Sequence, residues 1–128
     1  MKIVYVAGPY IAAGFMGIEE NIRKAEAAAI RLWNAGFGVF CPHLNTAHFE
    51  VKAEAGEQQY RDFDLRMLSA CDAVFVLCGY QYSEGTCAKI NEAKRLGIPV
   101  YHEEYRGYAA LCGEQTSGPC PVEVGENP

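Results

Sequence analysis

Apolar and polar positions along the chain follow two alternating periods. "KIVYVA" (2–7) is an unbroken β-branched and aromatic run closed by Gly8 and Pro9, which predicts a buried strand. Over 18–35 the apolar residues Ile22, Ala25, Ala29 and Leu32 recur at helical spacing, with Glu19 and Glu20 placed for a first turn and Gly36 as a stop. "FGVFC" (37–41) predicts a second strand, ended by Pro42. Residues 42–58 carry His43, Asn45, Thr46, His48 and Gly56 without clear period and read as a long loop, of the kind that usually carries function. A helix is expected over 58–70, the most apolar strand at "AVFVLCG" (73–79), a helix over 85–96 and a strand at "IPVY" (98–101).

A short terminal helix over 103–112 completes a domain of 1–112, and the Gly- and Pro-rich remainder, 113–128, reads as a loose tail. Strands separated by helices imply parallel pairing through right-handed crossovers, hence a three-layer α/β sheet. In such a sheet ligands bind beyond the carboxyl ends of the strands. The loops to inspect are therefore 8–18, 42–58 and 79–85.

Composition narrows the partners. A chain of 128 residues, half of them apolar, suits one domain with a proper core. With 16 acidic against 11 basic residues and no basic run, it lacks the footprint of a nucleic-acid binder; a small ligand or a protein is expected instead. No apolar run has the length of a membrane span and "MKIVYVAGPY" does not resemble a signal peptide, so a cytoplasmic protein is expected. Six cysteines (41, 71, 78, 87, 112 and 120) form no CxxC pair and read as reduced, buried or idle thiols. Cys41, His43 and His48 match no usual zinc spacing, and no metal or other cofactor is expected.

Three features carry candidate chemistry. Gly8, Gly14 and Gly17 in "GPYIAAGFMG" lead into a helix N-terminus, which suits an anion as well as it suits a plain surface connection; neither a Walker loop nor GxGxxG is present. In "SEGTCAKINEA" Ser83 can cap the helix or bond a ligand oxygen, Gly85 permits close backbone approach, and the N–H groups of Thr86 and Cys87 are expected to face the same space. Lys89 shares a helix face with Gly85, Thr86 and Ala93, which places it near the mouth of the crevice. The plainer expectation is a solvated lysine paired with Glu92 at i+3. Asp64 falls inside a helix, where a carboxylate ordinarily faces solvent, and Asp72 could cap the preceding helix end or turn.

"VYVAGPY", "ENIRKAEAAAIRLWNAGFGVFCPH", "DLRMLSACDAVFVL" and "SEGT" followed by "GIPV" together resemble the nucleoside 2-deoxyribosyltransferase superfamily, especially its small bacterial and phage branch, across about residues 3–101. The resemblance implies a doubly wound, flavodoxin-like sheet, a homodimer or larger homo-oligomer, and transfer or hydrolysis at the N-glycosidic bond of deoxynucleosides or their monophosphates. Asp64 then matches the aspartate that helps organise the reacting centre, and Ser83 matches the serine that contacts phosphate in the nucleotide 5′-monophosphate hydrolases. Gly8, Pro9 and Tyr10 match the first ligand loop, Asn21 and His43 fall at positions typical of the branch, and Gly85 and Thr86 lie in the matching "SEGT" stretch of the third loop.

The nucleophilic glutamate of that family stands four residues after the loop glycine, which is here Lys89. A carboxylate at that point attacks C1′ to form a glycosyl-enzyme. A lysine is protonated at neutral pH, and its charge opposes a cation developing at C1′. Two expectations follow: an N-glycosidase or deoxyribosyltransferase in which Glu92 or Glu84 takes the carboxylate's place or Lys89 works as an altered residue, or an inactive nucleotide-binding protein in which Lys89 favours phosphate.

Overall fold

The computed structural model describes residues 1–115. Its elements run β1 (Ile3–Ala7), α1 (Gly14–Asn34), β2 (Gly38–Phe40), α2 (Pro42–Asn45), α3 (Phe49–Lys52), α4 (Glu57–Leu68), β3 (Ala73–Val76), α5 (Glu84–Leu96), β4 (Val100–His102) and α6 (Gly107–Gln115). Among the described residues one parallel sheet is ordered β2-β1-β3-β4, with Tyr5 opposite both Phe40 and Val74, and Val76 opposite His102. This is the expected three-layer, Rossmann-like α/β arrangement.

Alternation along β1 sorts the core into two halves, because successive strand side chains leave on opposite faces. Val4 and Val6 pack with Ala25, Ala28 and Leu32 of α1, Phe75 of β3, and Tyr108 and Leu111 of α6. Tyr5 and Ala7 face the other way, against Leu68 of α4 and Ile90 and Ala93 of α5. Covered on both sides, β1 has no solvent face to alternate toward, which explains its continuous apolar run.

Helix α5 follows local rules at both ends. Ser83 Oγ accepts the N–H of Thr86 at 3.2 Å, Glu84 sits in the first turn, Lys94 and Arg95 in the last, and Gly97 ends the helix at φ 76°. Asp72 serves the sheet rather than a helix end: its N–H donates to Ile3 O and its Oδ2 accepts Ile3 N–H, both at 2.8 Å, locking the start of β1 to the start of β3.

The expectations shift in several places. Helix α1 begins at Gly14 (φ 80°), so Glu19 and Glu20 lie beyond its first turn and the first loop shrinks to Gly8–Ala13. Residues 42–58 are not a structureless loop; they hold two single-turn helices, α2 and α3, and the start of α4. The last helix, α6, runs through 113–115 of the expected tail, whose remainder, Cys120 included, lies outside the described residues. Of the described thiols Cys41, Cys71 and Cys112 are buried, but Cys78 is exposed. No helix among the described residues is long and apolar enough to cross a membrane.

Strand β1 lies between β2 and β3, so the chain leaves it toward one side and returns on the other, and the crevice opens where the ends of β1 and β3 diverge. Gly8 stands at this point, and a Cβ there would lie 2.6 Å from Leu77 Cδ1 and 2.9 Å from its Cβ. Because Leu77 is itself buried, Gly8→Ala should destabilise the fold by about 1–3 kcal/mol through overpacking. An unchanged thermal midpoint for the variant would contradict this packing.

Candidate functional site at the carboxyl edge of the sheet

Lys89 of α5 and Asp64 of α4 meet at the carboxyl edge. Lys89 Nζ donates to Asp64 Oδ2 at 3.4 Å, and the two side chains keep only 19% and 16% of their accessible surface. The simple expectation for both residues is thereby corrected. Asp64 is not on a solvated face, and Lys89 is not paired with Glu92, whose carboxylate instead receives two hydrogen bonds from Arg95 at 2.6 and 3.0 Å. The reason is packing: α4 and α5 both lie on the Tyr5 face of the sheet, which brings positions 25 residues apart into reach.

Beneath the pair lies Tyr5, with Lys89 Nζ 5.6 Å from its ring centroid, a cation–π arrangement. The Tyr5 hydroxyl is buried and has no hydrogen-bond partner among the described residues. Burial and, after it, the Asp64 carboxylate push this phenol's proton affinity far up, so Tyr5 is a neutral donor. Burial also raises Asp64 above the ordinary carboxylate range, an effect that the Lys89 cation opposes.

His43 enters from α2. One ring nitrogen, Nε2, lies 2.8 Å from Pro9 O; a carbonyl can only accept, so Nε2 carries the hydrogen and Nδ1 is left as a lone-pair acceptor. That Nδ1 is buried without a partner among the described residues. Burial lowers the His43 pKa, the Pro9 carbonyl opposes the effect, and the Lys89 cation adds to it, which keeps the ring neutral. Burial likewise raises the Cys41 thiol to about 11, only partly offset by the backbone N–H groups of Leu44 and His43 and then by Lys89, and this makes Cys41 an unreactive thiol rather than a nucleophile.

The other expected residues are placed with mixed results. Ser83 Oγ accepts from Thr86 N–H and, at 2.8 Å, from Thr86 Oγ1. With both acceptor positions used, its own hydroxyl hydrogen is left to point elsewhere. Cys87 N–H is taken by Ser83 O at 3.0 Å, so neither the Thr86 nor the Cys87 N–H faces the crevice as expected. Gly85 is exposed with no heavy atom within 4 Å of a Cβ built on it, consistent with open approach.

Tyr10 and Asn21 are used inside the fold. Asn21 Nδ2 donates to Tyr10 O at 3.1 Å, while the Tyr10 hydroxyl donates to Glu50 at 2.8 Å and accepts His48 N–H at 2.9 Å. His48 holds a left-handed φ of 60°, stacks on Phe15 at 4.8 Å and bonds Glu19 at 2.9 Å. These contacts tie the segment around α3 down onto the first loop and α1. A cavity of about 330 Å³ opens beside them, lined by Pro9, Asn21, Lys24, Leu77, Cys78 and Glu103.

Sequence reasoning missed Tyr5, Glu19 and Glu50. Tyr5 carried one usable signal, a hydroxyl inside an otherwise apolar buried strand, whereas the glutamates looked like ordinary surface charges. Among the described residues no group of three or more His, Cys, Asp or Glu side chains is arranged to hold a metal ion.

Residues 2–103 match the family described as Domain of unknown function (DUF7768), and the chain belongs to that family. No curated protein matches it. Among solved structures it is similar to a 2-deoxyribosyltransferase from the psychrotolerant bacterium Bacillus psychrosaccharolyticus, at 27% identity and a TM-score of 0.56 over 78% of this chain and 70% of that one. The fold is shared with a conserved protein from Enterococcus faecalis V583 (19% identity, TM-score 0.59, 91% and 77% of the two chains). It is shared as well with a 2-desoxiribosyltransferase from Leishmania mexicana (18% identity, TM-score 0.57, 98% and 81%).

The Asp64–Lys89 pair should be visible in stability. Removing the cation in Lys89→Met leaves a half-buried carboxylate unpaired and should cost about 1–3 kcal/mol at neutral pH. Without Lys89 the Asp64 carboxyl binds its proton still more tightly when folded than when unfolded, so folding takes up a proton and stability rises as pH falls through the folded pKa toward the unfolded one. Urea unfolding of both proteins should therefore show the gap narrowing as the pH is lowered from neutral through the raised Asp64 pKa. A gap independent of pH would mean that the lost energy is packing alone.

Proposed function

We propose that the chain binds a nucleoside or nucleotide at the carboxyl edge of its sheet and acts on the N-glycosidic bond, in the manner of the 2-deoxyribosyltransferases. The observation that carries this reading is the half-buried Asp64–Lys89 pair above the Tyr5 ring, beside the crevice where β1 and β3 diverge. It is supported by the likeness to the Bacillus psychrosaccharolyticus enzyme, which is a 2-deoxyribosyltransferase by description. With lysine where the resemblance calls for a nucleophilic glutamate, Asp64 is the carboxylate that remains beside the reacting carbon. Glu92 is engaged by Arg95 and Glu84 is exposed at the start of α5.

The ligand class is a deoxynucleoside 5′-monophosphate. Ser83 favours it because its Oγ already accepts twice and can offer its hydrogen to a phosphate oxygen at the helix start. Gly8, Pro9, His43, Gly85 and Thr86 complete the ligand walls in this reading, with Tyr10 and Asn21 holding the first loop in place. The reading includes a homodimer or larger homo-oligomer, and exposed Ile30, Trp33 and Leu44, which line a groove of about 410 Å³ beside β2, are apolar surface that favours association.

One observation favours a second reading, in which the protein binds a nucleotide without turnover: the Asp64 carboxylate is already held by Lys89. Incubation with each deoxynucleoside monophosphate, followed by chromatography for free base and by thermal melting, separates the two. Base release by the chain itself is the expected result. Stabilisation without release, or release only by Lys89→Glu, would assign it to binding; neither stabilisation nor release would sink the reading altogether.

A further inference from the structure

The geometry points to Lys89 as an amine nucleophile that captures C1′ of a bound 2-deoxynucleotide as an imine, with Asp64 relaying its proton. This inference rests on the proposed ligand and site, and replaces the missing carboxylate with a different covalent chemistry.

An amine qualifies as a covalent catalyst when it is drawn out of bulk water, sits beside a proton acceptor and still reaches the reacting space. Lys89 meets the three conditions. Its side chain is four-fifths covered, its Nζ lies 3.4 Å from Asp64 Oδ2, and it is carried by α5, the helix that starts beyond the carboxyl end of β3. Around it the groups are neutral or apolar: the Tyr5 ring, the uncharged His43 imidazole and the protonated Cys41 thiol. Asp64 is the one charged group in contact with Lys89 among the interactions described, and burial strengthens that carboxylate as a base.

The step balances as follows. The Lys89 ammonium gives one proton to Asp64, and the freed lone pair attacks C1′ as the C1′–N bond to the base breaks with its electron pair. Asp64 passes that proton to the departing base. The resulting glycosylamine opens, its C1′–O4′ bond breaking as C1′=N forms, and O4′ takes a second ammonium proton. Of the three ammonium protons, one leaves on the base, one rests on O4′ and one stays on the imine, which keeps the positive charge. Water then adds to the imine and frees the sugar, returning Lys89. A glutamate at the same position would form an ester to a closed sugar ring and could not give this intermediate.

Borohydride reduces an imine to a stable amine and leaves an ester-linked sugar without that bond. The full chain would be incubated with an equimolar mixture of the four deoxynucleoside 5′-monophosphates, with and without sodium borohydride, then measured by intact mass and peptide mapping. The expected result is a single adduct of one reduced pentose phosphate on the peptide holding Lys89. It should be absent in Lys89→Arg, which keeps the charge beside Asp64, and reduced at least tenfold in rate in Asp64→Asn. Circular dichroism and thermal melting confirm that each variant is folded.

Stabilisation by the nucleotides with no adduct would overturn the amine chemistry and leave the nucleotide site standing. Neither adduct nor stabilisation would overturn both. An adduct that persists in Lys89→Arg, or that spreads over Lys2, Lys24, Lys52 and Lys94, would mark surface chemistry and overturn the assignment as well.

Discussion

The burial of β1 on both faces and both edges is the constraint on which everything else rests. Val4, Tyr5, Val6 and Ala7 are fully buried, and a strand in that position must satisfy its backbone on both sides, which it does with β2 and β3. Once β1 is central, α1 and α6 are committed to the Val4–Val6 face and α4 and α5 to the Tyr5–Ala7 face. The crevice at the end of β1 is a by-product of the same decision. Chains that leave a central strand in opposite directions cannot fill the space between their departures.

That space inherits its chemistry from the Tyr5 face. Helices α4 and α5 approach each other over Tyr5, and each contributes one ionisable side chain to the seam, Asp64 and Lys89. A half-buried ion pair of this kind is poor evidence of stability, since the loss of hydration offsets most of the attraction. Its effect is local. Burial raises the aspartate's proton affinity and the lysine opposes that rise; burial lowers that of His43, to which the same positive charge adds, and the lysine also opposes the rise in Cys41. Burial is the first cause of protonation at Tyr5, His43 and Asp64 alike, and the one cation adds to its effect at His43 and opposes it at Asp64.

Much of the architecture was legible in residue order because its causes are local. Periodicity located β1, β2, β3, α4 and α5 within a few residues, and Ser83 and Gly97 end α5 as capping preferences require. The boundaries that moved did so for tertiary reasons. Helix α1 starts at Gly14 although Gly14 and Gly17 are weak helix formers, and the segment after β2 gains two helical turns around His43 and Phe49 through contacts with Pro9, Tyr10 and Glu19. Tyr10 and Asn21 are expected at the ligand by family resemblance. In the fold their polar groups bind each other and the α3 segment.

By itself the sequence determined that the protein would be a parallel α/β sheet with its crevice near Gly8, His43 and Ser83, since period, caps and strand-ending residues act over a few positions. It also determined that position 89 carries an amine. Only the tertiary structure decided what that amine touches. Lys89 had Glu92 available one turn away on its own helix, yet it pairs with Asp64, because the packing of α4 and α5 on the Tyr5 face turns Lys89 inward while Arg95 draws Glu92 outward. Local spacing cannot rank those two partners; burial, which depends on the whole sheet, does.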